Sequence, residues 1–318
     1  MSDVSELTVL MEGYRLFCLA EGKQPTTIRW YMGKLRVLRQ YLVDNGVPTD
    51  TVNITTTHLR AFMVHLREEV RADQHNPWKP TRDAPLSPKT IQGYARTLKA
   101  FFSWATREGY LDQNPTERLR VPKAPRVLIS TLSQGQIKQL FAAVDRRTST
   151  GFRNYCIILT LLDTGVRLSE LVHVQMENLD LERGFFKVLG KGARERLVPF
   201  GSKTQMALWK YIQKHRPEPA HPNQHSVLLR SDGRPLTNDL VYRMVRELGE
   251  KAGIDGVRCS PHTFRHTFAK NFLMNGGDLF TLQKILGHSS LSVVRMYVEL
   301  TPRDVQVRYR QYSPMDLL

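Results

Sequence analysis

The sequence is short of the features that mark secreted, membrane-spanning or metal-holding chains. It has three cysteines in 318 residues, Cys18, Cys156 and Cys259. They are far apart, odd in number and form no C-x-x-C pair, which argues against a disulfide framework and points to a reduced, cytoplasmic setting. No apolar run approaches the roughly 18 residues a membrane span requires. The opening Met-Ser-Asp-Val-Ser-Glu is polar and acidic, unlike a signal peptide. His215, His221 and His225 share one loop, but no cysteine or carboxylate joins them at ligand spacing, so no metal site is expected there. There is no Walker motif, and no cofactor is expected.

Acidic charge is also scarce. There are 30 Asp+Glu against 46 Lys+Arg, a formal net charge of +16. An excess of that size suggests a polyanion partner. It is unevenly spread: residues 1–119 carry a net +3 and residues 120–318 a net +13. The apolar fraction of 41% suffices for packed cores, and the length suggests two domains.

The first 119 residues read as four amphipathic helices. The first carries Leu7, Leu10, Met11, Tyr14, Phe17 and Cys18 and closes at Gly22. The second is capped by Thr26 or Thr27, with Ile28, Tyr31, Leu35, Leu38 and Leu42 inward. Its other face, with Arg29, Lys34, Arg36 and Arg39, is either a DNA-facing stripe or an ordinary solvated face. A third helix spans about 57–70. A fourth opens at Ser87-Pro88 and runs to Gly109. Residues 73–86 between them read as a loop. Residues 120–128, with Pro122, Lys123, Pro125 and Arg126, read as a basic, semi-rigid linker.

Beyond the linker, Ser133-x-x-Gln136 is a capping box. A helix from about 154 to 164 is apolar on nearly every side and should be buried. Gly165 ends it, and Arg167 stands at the turn into the next helix, either aimed outward from the edge of the core or as an ordinary exposed arginine. Glu170, three residues on, can pair with a basic neighbour or lie on the surface. The period then shortens to two, giving strands at 185–189 and 196–200 around a turn that holds Lys191 between two glycines. Lys191 is a solvated turn lysine or an ammonium brought close to a DNA backbone. Thr237 caps a basic helix with Tyr242, Val245 and Leu248 expected inward.

The chemistry-bearing stretch is 260–297. Ser260-Pro261 starts a helix, and His262 and Arg265 fall within its first turn or so, near an N-terminus suited to a phosphate. His288 follows a helix-ending Gly287, and Tyr297 comes nine residues later. Alone, His262 is as consistent with a surface or satisfied core histidine. The ordered set of Arg167, Lys191, His262, Arg265, His288 and Tyr297 suggests chemistry on a phosphodiester, with a tyrosine nucleophile and cations for the developing charge.

The order Thr-Gly-x-Arg-x-x-Glu (Thr164 to Glu170), hairpin Lys191, His-x-x-Arg (His262 to Arg265), Leu-Gly-His (Leu286 to His288) and Tyr297 resembles the tyrosine recombinase, or phage integrase, family. Residues 87–104 resemble the fourth helix of that family's core-binding domain. The resemblance implies a mainly α fold with a small antiparallel β-sheet in the C-terminal domain, arranged as a two-domain DNA clamp. It divides the chain into a helical, SAM-like core-binding domain (1–119), the linker (120–128) and a catalytic domain (129–318) ending in an exchange helix.

The resemblance further implies that Tyr297 forms a 3′-phosphotyrosine while Arg167 and Arg265 bind the phosphate oxygens. Lys191 protonates the leaving 5′-oxygen, His262 assists proton transfer at Tyr297, and His288 hydrogen-bonds the phosphate. The implied partners are double-stranded DNA and further copies of the chain, a tetramer on two duplexes, with accessory DNA-binding proteins in some systems. Tyr309 and Tyr312 are rival tyrosines, read as packing residues of a terminal helix. A first helix starting near residue 4 leaves no arm-binding domain ahead of it, which favours the Xer-like or transposon-borne subclass. Two other readings stay open: a type IB topoisomerase relaxing supercoils, and a DNA-binding protein with an idle site.

Overall fold

A computed structural model describes residues 6–74, 80–123, 125, 130–190, 195–287, 309, 313, 315 and 316. The chain divides into two compact units, 1–127 and 128–318, each with its own buried core.

The first unit is built on four helices, α1 (Leu7–Ala20), α2 (Pro25–Asp44), α3 (Thr56–Glu68) and α4 (Pro88–Arg107). Their starts follow local chemistry. Thr55 Oγ1 accepts from His58 N, and Ser87 Oγ accepts from Thr90 N at 3.1 Å with Pro88 at the first helical position. The start of α2 differs from expectation. It lies at Pro25, and neither Thr26 nor Thr27 caps it, because a proline with φ already preset serves the first turn without a side-chain cap. The core joins Leu7, Leu10, Tyr14, Leu35, Leu38, Phe62, Leu98, Phe101 and Trp104. Tyr14 meets Trp104 at 5.1 Å and Phe101 at 5.5 Å between ring centroids.

Residues 73–86 are more than a loop. Strand β2 (Arg82–Pro85) pairs antiparallel with β1 (Arg71–Ala72). Two residues against four give no readable alternation, so the ribbon is invisible in the pattern. The basic face of α2 is not a uniform solvated stripe either. Arg29 and Arg36 are exposed, but Lys34 Nζ lies 3.9 Å from the Tyr94 ring centroid and 4.8 Å from that of Trp30. Burial lowers the Lys34 pKa to about 8.

The second unit surrounds α6 (Ser149–Thr164), which starts five residues earlier than the apolar run suggests because Thr148 caps it at Gly151 N. Phe152, Cys156, Ile157, Ile158 and Leu161 are buried. Helices α5 (Gln134–Ala142), α7 (Leu168–Val172), α8 (Ser202–Lys214) and α9 (Asn238–Lys251) contribute to the same core. Tyr242 on α9 is 45% exposed rather than inward; Val241 and Val245 fill the buried stripe. A three-stranded antiparallel sheet runs in the order β3 (Leu179–Asp180), β4 (Phe185–Leu189), β5 (Glu195–Pro199). Phe186 pairs with Val198 and Val188 with Arg196, so those four share the core-facing side while Leu189 and Leu197 face out. Helices α10 (Pro261–Met274) and α11 (Leu279–Leu286) carry a third small cluster of Phe268, Ala269, Leu273, Leu282 and Leu286. No described helix is long and apolar enough to cross a membrane.

Candidate active site

Three of the six candidate residues, Arg167, His262 and Arg265, are described. Lys191, His288 and Tyr297 lie outside the described residues, as does Tyr312. Tyr309 is described and its side chain is 65% exposed.

Helix α6 ends at Gly165, whose φ of 60° is the left-handed conformation that favours glycine. A Cβ there would stand 2.2 Å from Phe268 Cδ1, so the residue must also be bare for α10 to pack against the turn. Val166 is buried, and Arg167 is the residue before α7, with its side chain 34% exposed. Glu170 in the first turn of α7 accepts from Arg167 N at 2.9 Å and from Arg167 Nη1 at 2.8 Å. The carboxylate thus caps the helix and fixes the guanidinium at once.

Arg265 enters from α10. Ser260 caps that helix at Thr263 N, with Pro261 at its first position. His262 is exposed near this helix end, while Arg265 is only 4% exposed. Its Nη1 donates to Gly165 O at 2.6 Å and its Nη2 to Leu286 O at 2.7 Å. Both acceptors belong to helix C-termini, where carbonyls lack an intrahelical partner and the dipole is negative. One guanidinium therefore ties the ends of α6 and α11 together.

Two residues that sequence reasoning passed over complete the arrangement. Arg196 on β5 grips Glu170 with Nη1 to Oε1 at 2.8 Å and Nη2 to Oε2 at 2.7 Å, and its Nε donates to Ile285 O at 2.8 Å. Its signal was the alternation of β5, which places a charged residue on the face of Val198 and so calls for a buried acid. Glu170 answers that call, with its side chain 5% exposed. Burial alone would raise the Glu170 carboxyl. Hydrogen bonding and charge from Arg196, then from Arg167, outweigh it and hold the group below the ordinary carboxylate value.

His266 is the second. It lies four residues after His262 on α10, 9% exposed, with its ring 4.4 Å from that of His262, edge to face. Burial first, then the His262 and Arg265 charges, lower its pKa to about 4, so it is neutral at pH 7. Among the described residues no cluster of three or more His, Cys, Asp or Glu could hold a metal ion.

Arg167, two residues past Gly165 and held by Glu170, and Arg265, bonded to the Gly165 carbonyl, are thus two fixed cations, with His262 on the helix that carries Arg265. Such a set is suited to neutralising charge on a bound oxyanion. Residues 130–303 match the phage integrase family, and residues 20–121 match the phage integrase SAM-like domain. The chain is 30% identical over 308 residues to tyrosine recombinase XerD of Staphylococcus aureus, covering 96% of this chain and 99% of that relative. It is 28% identical over 308 residues to the XerD of Listeria monocytogenes, covering 96% and 98%. Its fold is similar to that of the site-specific recombinase XerH bound to palindromic difH in a post-cleavage complex. The TM-score is 0.72 at 19% identity, over 92% of this chain and 82% of that one. It is similar also to the Tn1549 transposon integrase in complex with a circular intermediate DNA, with TM-score 0.71 at 19% identity over 95% and 99%. The chain belongs to the phage integrase family, the tyrosine recombinases that cut and rejoin DNA at specific sites.

Proposed function

We propose that this recombinase cleaves DNA through Tyr297. The phenolic oxygen attacks the scissile phosphorus, the bond to the 5′-oxygen breaks, and a 3′-phosphotyrosine and a free 5′-hydroxyl result. His262 takes the phenol proton; at a pKa near 10, an unassisted tyrosine is a poor nucleophile at neutral pH. Lys191 gives a proton to the leaving 5′-oxygen. Arg167 and Arg265 bind the non-bridging oxygens, and His288 adds a hydrogen bond. Attack by another strand's 5′-hydroxyl reverses the step and rejoins the DNA. The phosphotyrosine keeps the bond energy, so the sequence of steps needs neither metal nor nucleotide.

The observation that carries this reading is that both arginines are held by the protein itself, Arg167 by Glu170 and Arg265 by two helix ends, one of them the Gly165 turn that precedes Arg167. Double-stranded DNA is the proposed substrate. The net charge of +13 in residues 120–318 supports it, as do the DNA complexes of the XerH and Tn1549 relatives. We read residues 1–119 as the core-binding domain, 120–128 as the linker and 129–318 as the catalytic domain. We further read the working assembly as a tetramer on two duplexes, closing around DNA as a clamp.

Covalent capture tests the reading. Fragmented DNA from around the gene is incubated with the protein and quenched with SDS, and the DNA that stays attached is sequenced. Adducts at one recurrent site, absent for Tyr297→Phe although that variant still binds DNA, are expected. An adduct surviving in Tyr297→Phe would move the nucleophile to Tyr309 or Tyr312. Adducts scattered over all sequences would favour a relaxing topoisomerase.

A further inference from the structure

We propose that Arg196 is the positioning residue that locks three parts of the active site into one register. The inference rests on the reading of Arg167, Lys191 and His288 given above. Arg196 is not itself placed on the phosphate. Each of its three nitrogens donates inside the protein, two to Glu170 and one to Ile285 O.

Each contact leads to a different catalytic group. Through Glu170 it bears on Arg167, because the same carboxylate accepts from the Arg167 backbone N and Nη1. Through Ile285 O it bears on the C-terminus of α11. That helix ends at Gly287, and His288 is the next residue. The guanidinium also packs on that turn. A Cβ on Gly287 would lie 2.9 Å from Arg196 Nη1 and 3.0 Å from Cζ, and the φ of 64° there already favours glycine. Its own strand leads back to Lys191, five residues earlier in the sequence. Arg196 is the second residue of β5, paired with Val188 of β4, and Lys191 belongs to the connection between those strands.

The fork geometry explains why the residue is arginine. Two parallel N–H groups match the two carboxylate oxygens while Nε points along the side chain to a third acceptor. A lysine ammonium has no such division. It can satisfy the Glu170 charge or cap Ile285 O with good geometry, but it cannot hold both in the plane that aligns them. Arg196 is 12% exposed at its side chain, so water does not readily substitute for the lost bonds.

The test uses the full chain and the duplex site recovered by covalent capture, with Arg196→Lys as the mild variant. A double variant, Arg196→Gln with Glu170→Gln, removes both buried charges together and guards against a simple folding failure. We expect DNA affinity to hold while the single-turnover rate of adduct formation at saturating DNA falls about 100-fold, the scale for an ångström-sized misplacement of reacting groups. A second readout separates positioning from general loosening. A site with sulfur at the bridging 5′ position leaves as a thiolate, whose conjugate acid has a pKa near 8.5, so it needs no help from Lys191. The deficit of Arg196→Lys should shrink on that substrate, because the share of the defect that runs through Lys191 is bypassed. Cleavage within about threefold of the unsubstituted protein at equal affinity would overturn the proposal, as would equal deficits on the oxygen and sulfur sites. If the unsubstituted protein forms no adduct, the Tyr297 reading fails with it; if that protein cleaves and the variants cleave as well, only the role of Arg196 fails.

Discussion

Arg265 and Gly165 are bound across a hundred residues of sequence, Nη1 to carbonyl oxygen at 2.6 Å, and the glycine that accepts this bond has no room for a side chain. The turn that presents Arg167 and the helix that presents Arg265 are thereby joined at one point. Gly165→Ala should break it from both directions. Its φ of 60° costs an L-residue about 1–2 kcal/mol, and the new methyl would meet Phe268 at 2.2 Å and Leu286 at 3.0 Å. Adding about 1–3 kcal/mol for overpacking gives a loss of about 2–5 kcal/mol. Equilibrium unfolding in urea measures it, with an unchanged m-value expected.

Arg265→Lys keeps the charge and loses the fork. One of the two helix ends, at Gly165 O or Leu286 O, then lacks its cap, and in the proposed mechanism the phosphate loses a planar donor pair. Adduct formation should fall about 10²–10³-fold, the range for losing one preorganised donor to a developing oxyanion. DNA binding, which rests on many phosphate contacts, should change little by comparison. Single-turnover cleavage beside a mobility-shift titration reads both quantities. Comparable losses in the two would mean that Arg265 serves binding rather than the transition state.

Much of this site was legible because its parts are local. The Ser260 cap, the Pro261 start and the Gly165 and Gly287 stops each depend on a residue's own conformational preferences, and each stands as the pattern suggests. What escaped depends on pairing between distant segments. Glu170 reads as a surface residue of a short helix until Arg196, 26 residues on, is seen to face it. The β1–β2 ribbon likewise depends on Arg71 finding Pro85 across an intervening stretch with no alternation. Tyr242 reads as a core residue because an aromatic at helical spacing fits either side of a stripe's edge, but Val241 fills the inner position.

Glu170→Ala should be costly for a reason opposite to ordinary truncation. It would leave the Arg196 guanidinium, 12% exposed at its side chain, without its counter-charge. Losing one partner of a buried ion pair typically costs about 3–5 kcal/mol. Glu170→Gln should cost less and should also change the acid response. The Glu170 carboxyl has a folded pKa below its unfolded value, so its stabilisation is complete above that unfolded value. It is lost as pH falls below about 4.3, the ordinary glutamate value, and through the folded one. Thermal melts between pH 5 and 3 should show a shallower acid slope for Glu170→Gln than for the unsubstituted protein.

His266 should produce a separate acid step at higher pH. In the folded protein burial, with the charges of His262 and Arg265, puts its pKa at about 4, while an unfolded histidine titrates near 6.5. Between those values the unfolded chain binds a proton that the native chain refuses. Stability therefore falls as pH drops from about 6.5 to about 4 and then levels off for this group. At 1.36 kcal/mol per unit the full effect is about 3 kcal/mol. His266→Gln should flatten this part of the profile while leaving the Glu170 step below about pH 4.3 in place. If urea midpoints of the two proteins ran parallel from pH 7 to pH 4.5, native His266 would have to take up its proton near pH 6.5 as the unfolded chain does. Below that pH its ring would stand as a second cation beside His262, 4.4 Å away, and the proton balance assigned to His262 would have to change there.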